Sequence, residues 1–180
     1  MTEKIKAYGR DILNNERHRQ QSRYVQHGKC SVRKHCISVA ALSLQMGEAL
    51  QRHGIGCDER SLVRGALLHD YFLYDWHEKG ACEGLHGFRH AASALKNAET
   101  DFDLNEREKD IIFKHMFPLN LTRVPACREA WIVTIADKIC SARETVTRER
   151  LEKPVRVLYK AAVNSVVLSR AAAFIHHIRT

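Results

Sequence analysis

Residues 65–72 read Gly65-Ala66-Leu67-Leu68-His69-Asp70-Tyr71-Phe72, a run of small and apolar side chains that ends in an imidazole and a carboxylate side by side. The Gly54-Ile55-Gly56 turn and Asp58, an N-cap residue type, precede this run, so the pattern predicts a helix over 59–73 with the doublet in its last turns. An apolar helix end faces a core, and a carboxylate placed there needs a compensating partner.

Outward from the doublet, apolar residues recur at three- and four-residue spacing, β-branched alternation is nearly absent, and prolines occur only at 118, 125 and 154. These features predict an all-α chain, a compact bundle of about seven helices. A polar first helix covers 2–26 and a second covers 31–52, where Val32, His35, Val39, Leu42 and Met46 share one face and turn His35 inward. After an irregular loop over 74–85, further helices are expected at 88–98, 105–115, 126–147 and 154–178, the last opened by Pro154. The expected organisation is one domain over 1–180, with a core at 31–147 on which helices 1–27 and 154–178 pack.

The chain has 180 residues, of which 44% are hydrophobic and 28% charged, a composition suited to one globular domain. No apolar stretch reaches the roughly 18–20 residues of a membrane span, and the first residues lack the pattern of an export signal. Six scattered cysteines without a CxxC pair are read as reduced thiols, hence a cytoplasmic location. The formal charge of +8 favours anionic partners, although the basic residues recur singly among acids, as on a solvated helical surface. A nucleic-acid surface is the less favoured reading of that charge.

Eleven histidines are present. His18, His27, His53, His176 and His177 lie in polar or terminal segments and are expected at the surface. His35, His69, His90 and His115 fall on or beside helices with apolar faces, and Asp137 sits within the apolar run Trp131-Ile132-Val133-Thr134-Ile135-Ala136-Asp137. Any one of them alone is ordinary core chemistry. Together, His35, His69, Asp70, His90, His115 and Asp137 supply imidazole and carboxylate from separate helices, as a metal site in a bundle core requires. Mixed imidazole and carboxylate ligands suit a divalent transition metal (Mn, Fe, Ni or Zn), with Mg within the range of the carboxylates.

The order His35, then His69-Asp70, then Asp137 resembles the HD superfamily of metal-dependent phosphohydrolases, which is defined by H, HD and a later D. The resemblance covers about residues 31–147 and implies an HD-like helical fold with one metal on His35, His69, Asp70 and Asp137, Asp70 being the catalytic residue. In two-metal members extra histidines stand between the doublet and the last aspartate, and His90 and His115 occupy those places, so a second metal is open. The sequence departs from the two-metal pattern in having Ala91 after His90 and no paired histidines or GYP motif after His115. His86, four residues before His90, is expected to support the ligands rather than to bind.

The implied reaction is hydrolysis of a phosphate ester by a metal-activated water, with a small phosphate-containing molecule, a nucleotide among the candidates, as substrate. Lys138 and Arg64 are candidates for phosphate contact, and an ion pair or a solvated helix face is the alternative for each. The loop Tyr71-Phe72-Leu73-Tyr74-Asp75-Trp76-His77 is dense in rings that could stack on a base or pack in the core, and His77 and Lys79 could meet an anion. Two other readings stay open: di-iron oxygenation within the same superfamily, and a nucleotide- or nucleic-acid-binding module with a non-catalytic metal site.

Overall fold

The computed structural model of the chain describes residues 3–27, 30–73 and 86–145. Three short helices open it, α1 (Glu3–Tyr8), α2 (Arg10–Asn14) and α3 (Glu16–Gln20), followed by a 3-10 turn at Gln21–Arg23. A hairpin of β1 (Val25–His27) and β2 (Cys30–Ser31) leads into α4 (Val32–Arg52), then α5 (Glu59–Leu68), α6 (His86–Asp101), α7 (Glu106–Lys114) and α8 (Arg128–Thr145). The fold is all-α, as expected, with the small antiparallel hairpin as its one addition among the described residues. The expected seventh helix at 154–178 lies outside them.

The helix starts follow the sequence chemistry. Ser31, Asp58 and Asn105 each accept a backbone N–H two or three residues inside the helix they open, and Glu108 returns the bond to the Asn105 N–H to complete a capping box. Asp110 of α7 accepts from the N–H groups of Ala126 and Cys127, which fixes where α8 begins. Gly54, at φ 78°, takes the left-handed turn that leaves α4.

The first helix is not the continuous polar rod the pattern predicts. It breaks at Gly9, where a Cβ would lie 2.3 Å from Leu67 Cδ1, and at Asn15, which is extended and caps α3 with its side chain. These breaks let the segment wrap α5 and bury Ile5, Ile12, His18 and Gln21 in turn. His18, expected at the surface, is therefore fully buried, its ring stacked 6.2 Å from that of Tyr71. Burial, with the Arg33 charge behind it, pushes its pKa down to about 4. His53 is exposed, as expected.

Helix α4 packs on α5 and α8, α5 on α7, and α7 on both α6 and α8. The shared core joins Val39, Leu42, Met46, Leu62, Ala66, Leu67, Ile111, Ile112, Ile132, Val133 and Ala136. Helices α5 and α8 pack on α4, α7 bridges α5 and α8, and α6 lies on α7, so that side chains from all five meet near His35, and that meeting positions the site.

Candidate metal centre

The six predicted ligands arrive from five parts of the bundle: His35 on the second turn of α4, His69 and Asp70 just past the end of α5, His90 on α6, His115 just past α7, and Asp137 midway along α8. All six are buried, none more than 5% exposed. They fall into two groups, His35 with His69 and Asp137, and Asp70 with His90 and His115, each group having its potential ligand atoms within 4.8 Å of one another.

Asp70 joins the groups. Its Oδ2 lies 3.4 Å from His69 Nε2 and 3.8 Å from His35 Nε2, while its Oδ1 lies 3.3 Å from His90 Nε2 and 3.4 Å from His115 Nε2. One carboxylate thus turns one oxygen to each set. Asp137 Oδ1 closes the first set at 3.1 Å from His35 Nε2 and 3.8 Å from His69 Nε2.

The imidazoles are oriented from behind. His69 Nδ1 lies 2.8 Å from the Ala66 carbonyl and His115 Nδ1 2.8 Å from the Ile112 carbonyl. A carbonyl only accepts, so each Nδ1 carries the proton and each Nε2 presents its lone pair inward when the ring is neutral. His35 Nδ1 is 2.8 Å from Glu144 Oε2, the carboxylate–histidine arrangement that fixes a ring and raises its basicity as a ligand. Ser141 Oγ donates to Asp137 Oδ1 at 3.1 Å, and Lys138 Nζ donates to Asp137 Oδ2 at 2.8 Å and to the His115 carbonyl at 3.0 Å.

The charges of these groups act on one another. Burial drives the His35 pKa down, but Asp137 and Glu144 outweigh it and raise the value to about 10. His69 is likewise raised well above its ordinary value, the Asp70 charge overcoming burial. Burial pushes Asp70 and Asp137 up, yet the facing histidines hold both well below the usual carboxylate range. His115 goes the other way, to about 4, because burial dominates there.

Two observations test whether these residues suit a metal. His69 Nε2 and Asp70 Oδ1 are buried without a hydrogen bond, although buried polar atoms of this kind are nearly always satisfied. His90 Nε2 and His115 Nε2 face each other at 2.9 Å, where neutral imidazoles can satisfy only one as donor and one as acceptor. Inward lone pairs, orphaned atoms and a nitrogen–oxygen donor set fit a divalent transition metal.

Of the substrate candidates, Lys138 lies against the site with its side chain 42% exposed. Arg64 takes the ion-pair alternative: it is buried, and its guanidinium is shared by Asp11, Glu108 and the Asp103 carbonyl. Tyr71 and Phe72 are core residues, with the Tyr71 hydroxyl donating to Asp101 Oδ2 at 2.7 Å and the Phe72 ring edge-on to His90. Tyr74, Asp75, Trp76, His77 and Lys79 lie outside the described residues, as does the His86 side chain. Glu144, Ser141, Gln21 and Gln26 support the site without having been singled out. Ser141 and Glu144 stand four and seven residues after Asp137, on its helix face, so helical spacing could have found them; nothing local marks either glutamine.

The HD domain family model matches residues 32–142. A ribonuclease Y of Pseudothermotoga lettingae is 34% identical over 130 residues, which cover 72% of this chain but 22% of that protein. The chain thus spans under a quarter of this relative's length. No solved structure matches the chain. With the ordered histidines and aspartates converging as described, and the family model covering more than half of the sequence, the chain belongs to the HD domain family.

Proposed function

We propose that this chain is a metal-dependent phosphohydrolase that holds two divalent cations, one on His35, His69 and Asp137, the other on His90 and His115, with Asp70 shared between them. The observation that carries this reading is the opposed placement of the two Asp70 oxygens, each within 3.4 Å of an imidazole nitrogen of a different set. Cations so held supply Lewis acidity, making a water nucleophilic near neutral pH and offsetting the charge that develops on a phosphoryl group. Asp70 would contribute to holding both cations and, with its pKa held low, is a weak proton acceptor. Lys138 adds to the His35 and His69 contacts that hold Asp137 low and, being partly exposed, offers a point charge to a phosphoryl oxygen beside the site.

A phosphate ester is the substrate class this chemistry supports, a nucleotide being one candidate. A phosphodiester of RNA is the second reading, favoured by the ribonuclease name of the relative and by the +8 charge. The test is metal analysis of the purified chain together with Mn-dependent hydrolysis of bis(4-nitrophenyl) phosphate, a nucleotide panel and a short RNA. We expect bound metal, with turnover lost at least about 100-fold in Asp70→Ala while the helical circular dichroism persists, since even supporting residues of metal sites cost 10–100-fold. Wild-type turnover in Asp70→Ala would remove the case.

A further inference from the structure

The N-terminal segment reaches the doublet with two glutamines. Gln21 Nε2 donates to the backbone carbonyl of Asp70 at 2.6 Å and to that of Phe72 at 3.3 Å. Gln26, on β1, goes further: its Nε2 donates to the side-chain Oδ2 of Asp70 at 2.5 Å. Only the amide nitrogen can donate to a carboxylate, so this contact also fixes which way round the amide lies. Its Oε1, one amide width from the contact, is buried and has no hydrogen-bond partner. The side chain is 7% exposed.

The backbone that carries Gln26 is tied to the site's own scaffold. Val25 pairs with Ser31 in the hairpin, Ser31 caps α4, and the Val32 N–H donates to the Tyr24 carbonyl at 2.9 Å. Helix α4 bears His35 one turn further on. Gln26 is therefore positioned by the same element as a ligand, yet it lies before the residues matched by the family model, which begin at 32.

A carboxylate that serves two cations must hold its plane so that neither oxygen rotates toward one set. Packing alone defines that torsion loosely, because rotation about the bond to an aspartate carboxyl is broad. A hydrogen bond to one oxygen removes the freedom, and the remaining lone pair of that oxygen stays open to a cation. We propose that Gln26 is a positioning residue for Asp70, its amide holding the carboxylate with one oxygen toward each ligand set and so governing how tightly the pair of cations is held and how strongly they are coupled. This rests on the two-cation reading above.

The experiment compares the 180-residue chain with its Gln26→Met variant, similar in side-chain length but without donor or strong acceptor, titrating chelator-stripped protein with Mn2+ by calorimetry and recording its electron paramagnetic resonance. We expect the wild type to take two ions and to give a spin-coupled spectrum. Gln26→Met should keep the wild-type circular dichroism, bind Mn2+ 10–100-fold more weakly and show uncoupled ions. A merely structural role would lower the melting temperature without uncoupling ions that are bound. Gln26→Asn, one methylene shorter, carries the same test should Gln26→Met fail to fold. Unchanged affinity and coupling in a folded variant overturn the proposal alone, whereas a wild type that takes no Mn2+ overturns the two-cation reading as well.

Discussion

His35 faces a carboxylate on each side, Glu144 at Nδ1 and Asp137 at Nε2, and both favour its protonated form. His69 is held protonated by Asp70 in the same way. A cation bound at these Nε2 atoms competes with their protons, so uptake must release them, and affinity must rise with pH. With the His35 pKa raised to about 10, that competition extends across the neutral range. Loading of the metal-free protein should release up to about two protons and tighten by up to about 100-fold per pH unit between roughly pH 7 and 8. Calorimetry in buffers of different ionisation enthalpy measures the number directly. Binding without proton release would contradict this electrostatic account.

At the scale of the elements, the spacing between α5 and α7 brings the doublet to His115. Gly65 makes that approach possible, since a Cβ there would lie 2.6 Å from Ile111 Cδ1 and 2.8 Å from Ile111 Cβ. In an isolated helix Gly→Ala gains about 1 kcal/mol. Here the clash should reverse the sign, and we predict that Gly65→Ala lowers stability by about 1–3 kcal/mol in urea unfolding. A stabilised variant would show that α7 can retreat freely. Long, strongly patterned helices were legible beforehand: α4 and α7 begin and end within about two residues of expectation because caps and periodicity agree, and α8 begins within about two. The segment over α1 to α3 was not, because its breaks answer to Leu67 and to the burial of Ile12 and His18, contacts absent from local sequence. The six candidate ligands were legible as a set through their order and helix faces, and the structure brings their side chains together. Gln26 was not, since a polar residue in a three-residue strand carries no period.

Across the whole molecule, five separate places on the bundle supply the site, so its integrity depends on the packing of α4, α5, α6, α7 and α8 together. No helix of the described residues is long and apolar enough to cross a membrane. The described cysteines, Cys30, Cys36, Cys57, Cys127 and Cys140, are free thiols, and the ligand set is built without them. The ion-pair frame around the N-terminal segment, Lys4 with Glu48 and Glu59, Arg64 with Asp11, and Arg17 with Asp101, binds that segment to the helices that hold the ligands. Everything central to the account meets at Asp70. A crystal of the Mn2+-loaded chain, with anomalous scattering recorded at the manganese edge, tests it most directly. The account predicts two peaks on either side of the Asp70 carboxylate, about 3.5–4 Å apart; manganese elsewhere, or none at Asp70, would contradict it.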